Sequence, residues 1–200
     1  NNMSPFSVTR TGTTITLSPT NPAQQSGLLV ISHGLGDTAE GFADVAQMIA
    51  ASMPHLKIIL PTAPTQPVTM NMGMPMPSWY DITGLDERSN ENCKGIHESK
   101  KTLVDILEKE HLDSKLSYDR MVLMGFSQGG ALSLFTGMQL TKEQKLAGIV
   151  VMSGYLPAKS QFQITNGLED VPIMHYHGQS DPMVQVAMAK RSQEVAKESG

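Results

Sequence analysis

The chain alternates short apolar runs with amphipathic stretches, and no repeat or low-complexity segment interrupts the pattern. Thr14–Leu17 and Gly27–Ser32 read as strands, separated by the turn-forming segment Pro19–Gln25. Thr38–Met53 carries Phe42, Val45, Ala46, Ile49 and Met53 at three-to-four spacing. That spacing predicts a helix, with Thr38 as its cap and Pro54 as its stop. Lys57–Leu60 is a short strand, and residues 61–91 read as an irregular loop rich in Pro, Gly and Met. A loop of that length in a compact domain is usually functional. Asn92–His111 predicts a helix with Ile96, Leu103, Ile106 and Leu107 on one face. Then come a strand at Met121–Phe126, a helix at Gly129–Leu140, strands at Leu146–Ser153 and Ile173–His177, and a helix in Pro182–Gly200 with Val186, Ala189 and Ala196 inward.

Strands alternating with helices predict an α/β fold: a mostly parallel sheet, right-handed crossovers and helices on both faces. Ligands in such sheets sit at the carboxyl ends of the strands. Two hundred residues fit a single domain, 1–200, with a sizeable core.

Composition narrows the function classes. Hydrophobic residues at 40% and charged residues at 17% describe a soluble globular protein. A net charge of −4 with no basic run argues against nucleic acid as a partner. The single cysteine, Cys93, excludes an internal disulfide and fits a reducing, cytoplasmic compartment. No run of 18 apolar residues predicts a membrane span, and the N-terminus lacks the pattern of a signal peptide. No metal-ligand cluster is visible, and no cofactor is expected. Oligomeric state is left open.

The candidate chemistry lies at three strand ends. Residues 121–130 read Met-Val-Leu-Met-Gly-Phe-Ser-Gln-Gly-Gly, which puts Ser127 in a Gly-x-Ser-x-Gly between a strand and a helix. The pentapeptide alone is weak evidence, but at a strand–helix junction it is the sequence form of a nucleophile elbow. After the strand Leu28–Ser32 comes His33-Gly34-Leu35-Gly36-Asp37. The backbone N–H of Leu35, with that of Gln128 after the nucleophile, could form an oxyanion hole, each donor contributing about 2.7–4 kcal/mol to the transition state. His33 itself reads as a structural histidine of that turn, because it precedes the serine. After Ile173–His177, Asp181 takes the place of an acid that orients a histidine. The competing reading of Asp181 is an Asp-Pro turn. Four methionines in Met70–Met76 either line a pocket for a flexible hydrocarbon chain or fill a partly buried loop.

Five motifs occur in order: His33-Gly34-Leu35-Gly36-Asp37-Thr38, Pro61-Thr62-Ala63-Pro64, Met76-Pro77-Ser78-Trp79-Tyr80-Asp81, Gly125-Phe126-Ser127-Gln128-Gly129-Gly130-Ala131 and His177-Gly178-Gln179-Ser180-Asp181-Pro182. From about Leu28 onward the chain resembles the acyl-protein thioesterase, or phospholipase/carboxylesterase, family of α/β-hydrolases. The resemblance implies hydrolysis of long-chain acyl thioesters or esters, with acylated proteins, lysophospholipids or small esters as substrates and at most transient contact with a membrane surface. It implies Ser127 as nucleophile, Asp181 as acid, and the N–H groups of Leu35 and Gln128 as oxyanion donors. It also implies an acyl channel near Trp79, Met74, Met76 and Met183. Burying ten methylenes there would contribute about 8 kcal/mol before ordering costs.

One family feature is missing. The resemblance implies a triad histidine after one further strand, and no histidine follows Asp181 in this sequence. The expectation is a domain lacking its C-terminal strand and helix. The alternatives are a catalytically dead relative that binds acyl chains, a resident histidine that substitutes for the missing base against the strand-end geometry, and, more distantly, a hydrolase built on Cys93.

Overall fold

Four parallel strands form the centre of the molecule. They are β3 (Gly27–Ser32), β4 (Leu56–Leu60), β7 (Met121–Phe126) and β8 (Gly148–Met152). β9 (Ile173–Tyr176) continues the parallel run beyond β8. At the other edge β1 (Phe6–Thr11) and β2 (Thr14–Pro19) form an antiparallel hairpin that joins β4 through β2. The order is β1-β2-β4-β3-β7-β8-β9. A second, two-stranded sheet pairs β5 (Thr65–Val68) with β6 (Met74–Pro77). These elements belong to a computed structural model that describes residues 4–86 and 91–178.

Three α-helices cover the sheet among the described residues: α1 (Ala43–Ser52), α2 (Ile96–Ser114) and α3 (Gln128–Gly137). Alternate residues of β3 feed two cores, as strand geometry requires. Leu29 and Ile31 pack with α1, whereas Leu28 and Val30 join the larger cluster with Leu103, Leu107, Leu132 and Phe135 of α2 and α3. Every residue of α3 is buried. That burial explains its composition: three glycines, small residues and no charge.

Connectivity places the site. β3 leads through α1 to β4 on one side, and β7 leads through α3 to β8 on the other. Chains leaving two adjacent strands in opposite directions open a crevice at their carboxyl ends, where ligands bind in sheets of this kind. β3 and β7 are in register there, Ser32 opposite Gly125.

Three expectations change. β1 is a strand although its pattern does not announce one, because it is an edge strand with mostly exposed residues. Residues 61–91 are not wholly irregular: β5 and β6 pair even though Pro67 faces Pro75, since a two-stranded ribbon leaves proline an unpaired side. The first helix turns its alanines inward. Ala43, Ala46 and Ala50 are buried, while Val45 and Met53 are exposed. It begins as a 3-10 turn at Ala39–Phe42, and the Thr38 side chain makes no capping bond.

Candidate active site

The backbone of the elbow dictates its own sequence. Ser127 has φ 52° and ψ −117°, a conformation that costs a non-glycine residue about 1–3 kcal/mol. Its N–H donates to the Met152 carbonyl at 2.8 Å, and its carbonyl accepts from the Ala131 N–H at 2.9 Å. A β-carbon at Gly125 would lie 2.2 Å from the Gly129 carbonyl oxygen, and one at Gly129 would lie 2.1 Å from that of Ser32. Neither contact can be relieved by a side-chain rotation, so both positions demand glycine. The result is a half-buried serine at the N-terminus of α3.

The His33–Asp37 turn faces it. His33 is 1% exposed, and both ring nitrogens are engaged: Nδ1 with the Gly34 carbonyl at 2.7 Å, and Nε2 with the Ala63 N–H at 2.9 Å. Nε2 accepts from a backbone amide, so the proton sits on Nδ1 and the ring is neutral. Burial pushes the pKa of His33 down, against the raising effects of the Gly34 bond and Asp37. The turn closes through Asp37 N–H to the Gly34 carbonyl at 3.2 Å, and Gly36 N–H donates to Pro77 O at 2.8 Å. Among the described residues, no backbone bond uses the N–H of Leu35 or of Gln128.

A buried segment, Ser78–Tyr80, joins the two sides. The Gln128 side chain is 2% exposed; its Oε1 accepts from Trp79 N–H at 2.9 Å, and its Nε2 donates to Tyr80 O at 2.8 Å and to Ser78 Oγ at 3.1 Å. Trp79 is fully buried, and its indole Nε1–H donates to the His33 carbonyl at 2.8 Å. Tyr80 and Tyr155 share a buried hydroxyl–hydroxyl bond of 2.7 Å, and burial raises both phenol pKa values.

The apolar side chains are less uniform. Met76 is half-buried, with its Sδ 3.4 Å from Asn71 Nδ2 and 3.6 Å from the position a β-carbon on Gly36 would take. Met74 is exposed, and Met72 is 95% exposed at the hairpin tip. Phe126 is exposed beside Gly34. Burial pushes the Cys93 thiol up to about 11, which leaves it without a thiolate at neutral pH.

The sequence profile of the phospholipase/carboxylesterase family matches residues 13–200. The chain belongs to that family. It is a hydrolase with the α/β-hydrolase fold. It is similar to acyl-protein thioesterase 1 of Mycosarcoma maydis, 38% identical over 191 residues that cover 90% of this chain and 79% of that protein. Acyl-protein thioesterase 1 homolog 1 of Dictyostelium discoideum is 38% identical over 176 residues, 88% of this chain and 77% of that protein. Among solved structures, Zea mays acyl-protein thioesterase 2 superposes with a TM-score of 0.80 at 25% identity, covering 95% of this chain and 86% of that one.

Within this family member the structure brings Ser127, Gln128, Leu35, Met76 and Trp79 together beyond the carboxyl ends of β3 and β7. Asp181 and Met183 lie outside the described residues. Trp79 comes to the site as a buried side chain beneath the His33 turn. Met74 stands on the exposed arm of the hairpin. The bonds of the Gln128 side chain to Ser78, Trp79 and Tyr80, and that of Tyr155 to Tyr80, carry no sequence signal: they span 48 to 75 residues, and two of the four end on backbone atoms of the buried segment.

Proposed function

We propose that this hydrolase cleaves long-chain acyl thioesters or esters in the cytoplasm, palmitoyl groups on proteins and lysophospholipids among them, through an acyl-enzyme on Ser127. The observation that carries the proposal is the backbone of Ser127, φ 52° and ψ −117° between β7 and α3. Strain of this kind is maintained where a side chain must be presented.

Ser127 Oγ attacks the acyl carbonyl carbon, and the carbonyl π electrons move to oxygen. The N–H groups of Leu35 and Gln128 receive that oxyanion. Collapse expels the thiolate or alkoxide, which takes up the proton that Ser127 Oγ gives up on attack, and water then hydrolyses the acyl-serine by the same steps, one of its protons returning to Ser127 Oγ. Asp181 is the proposed acid of the triad, and no histidine of the sequence follows it. We assign the base to none of the six histidines. His33 has both nitrogens engaged, and His175 gives its Nε2 to the Gly154 carbonyl at 3.1 Å. Met76, Met74, Trp79 and Met183 are assigned to the acyl channel.

Thioesters with acyl chains from acetyl to palmitoyl, offered to the protein at its natural length, test the substrate class. The expected result is a kcat/KM that rises with chain length until the channel is full, by about 0.8 kcal/mol per buried methylene at most. Equal turnover of acetyl and palmitoyl substrates contradicts it. A folded protein that binds acyl chains without turnover favours the dead relative.

A further inference from the structure

Leu35 is bracketed by two anchors on one segment. Before it, the His33 carbonyl accepts from Trp79 Nε1–H at 2.8 Å; after it, Gly36 N–H donates to Pro77 O at 2.8 Å. Trp79 is in turn held at every polar group. Its N–H goes to Gln128 Oε1 at 2.9 Å, its carbonyl accepts from Ser99 Oγ at 2.5 Å, and its ring lies 5.1 Å from that of His33. An indole N–H can only donate, and in a dry interior an unmatched donor is costly, so the ring has one favourable orientation. The side chain that holds Trp79 belongs to Gln128, whose own N–H is the second donor.

We propose that Trp79 is a positioning residue of the oxyanion hole, placed by the Gln128 side chain, so that one bond relay sets the Leu35 donor relative to the Gln128 donor. The relay runs Gln128 Oε1, Trp79 N–H, Trp79 Nε1–H, His33 carbonyl, and so to the peptide preceding Leu35. It rests on the reading of Ser127 as nucleophile. It gives Trp79 a task beyond lining a channel: the indole N–H, rather than the apolar ring, sets the rate of the chemical step.

Trp79→Phe keeps an aromatic ring and removes the donor. In the protein at its natural length, kcat on an octanoyl thioester should fall about ten- to a hundredfold, the scale of a donor displaced by an ångström or less. KM should stay within about twofold, as expected when only a transition-state interaction is lost. Affinity for a trifluoromethyl ketone, whose tetrahedral adduct occupies the hole, should fall in parallel. Gln128→Met should act alike, and the double variant should be little worse than either single, because both break one relay. Folded Trp79→Phe with unchanged kcat and ketone affinity overturns the relay, as do single effects that multiply in the double variant. Should Trp79→Phe not fold, Gln128→Met decides by the same two readouts. A wild-type protein whose Ser127 is not labelled by a fluorophosphonate overturns the nucleophile reading and the relay together; a labelled wild type with an unaffected Trp79→Phe overturns the relay alone.

Discussion

The elbow and the methionine hairpin both pack against the His33–Asp37 turn but are built on opposite terms. At Gly125–Gly130 backbone meets backbone: β-carbons at Gly125 and Gly129 would lie 2.2 and 2.1 Å from carbonyl oxygens, and α3 behind them is wholly buried. At β5–β6 only Val68 is buried and the methionines towards the tip face water, with Met72 at 95% exposure and Met74 at 58%. From Pro61 to Tyr80 the chain has no charged residue, so the hairpin is uncharged while largely outside the core. The elbow stores strain because its surroundings over-determine it. The hairpin is tied down by backbone, Gly36 N–H to Pro77 O and Met70 N–H to Ile82 O, both at 2.8 Å, but its exposed thioethers are unbranched and suit a surface that accommodates variable hydrocarbon. The contrast is one of strained backbone against adaptable side chains.

Substitutions can break that contrast. The largest effect belongs to Ser127→Ala, expected to lower kcat by on the order of a millionfold if Ser127 is the nucleophile, as measured by thioester turnover. Yet Ser127→Gly should raise the unfolding free energy by about 1 kcal/mol through relief of φ 52°, read by chemical denaturation. A destabilised Ser127→Gly would show that the strain is not there. Gly129→Ala comes next, with a loss of about 3 kcal/mol or more of stability from the backbone clash. A loss under about 1 kcal/mol in the same assay would mean the elbow relaxes readily.

A pH effect ranks below these. His33 is neutral in the fold with its pKa lowered from 6.5, so the unfolded chain binds its proton first. Its contribution is complete above pH 6.5 and is lost as pH falls through the folded-state value. His33→Asn should therefore flatten the acid side of the stability profile, and an unchanged slope would contradict the neutral assignment. The smallest effect is that of Met72→Gln at the hairpin tip, expected to change stability by less than about 0.5 kcal/mol. A larger loss would make the hairpin part of the core and erase the contrast.

Legibility in the sequence follows the same division. The strand Met121–Phe126 is found at its predicted bounds, and the glycines on either side of Ser127 mark the elbow because sterics allow nothing else. β5 and β6 were hidden by their prolines, and β1 by its polar, exposed edge. The inward face of α1 is legible in part: Ala46 is buried and Phe42 and Ile49 pack against the same core, whereas close approach to the sheet favours Ala43 and Ala50 over the larger, exposed Val45 and Met53. Gln128 was legible as a backbone donor by its place after the serine. Its side chain was not, since hydrogen bonds to Trp79 N–H and Tyr80 O depend on a loop folded against it from 48 to 49 residues away.

The central claim is that Ser127 is an activated nucleophile. Intact-mass analysis of the natural-length protein after treatment with a fluorophosphonate tests it most directly. The account predicts a single covalent adduct that maps to Ser127 and disappears in Ser127→Ala. A folded wild-type protein that stays unlabelled, or an adduct that persists in Ser127→Ala, would contradict it.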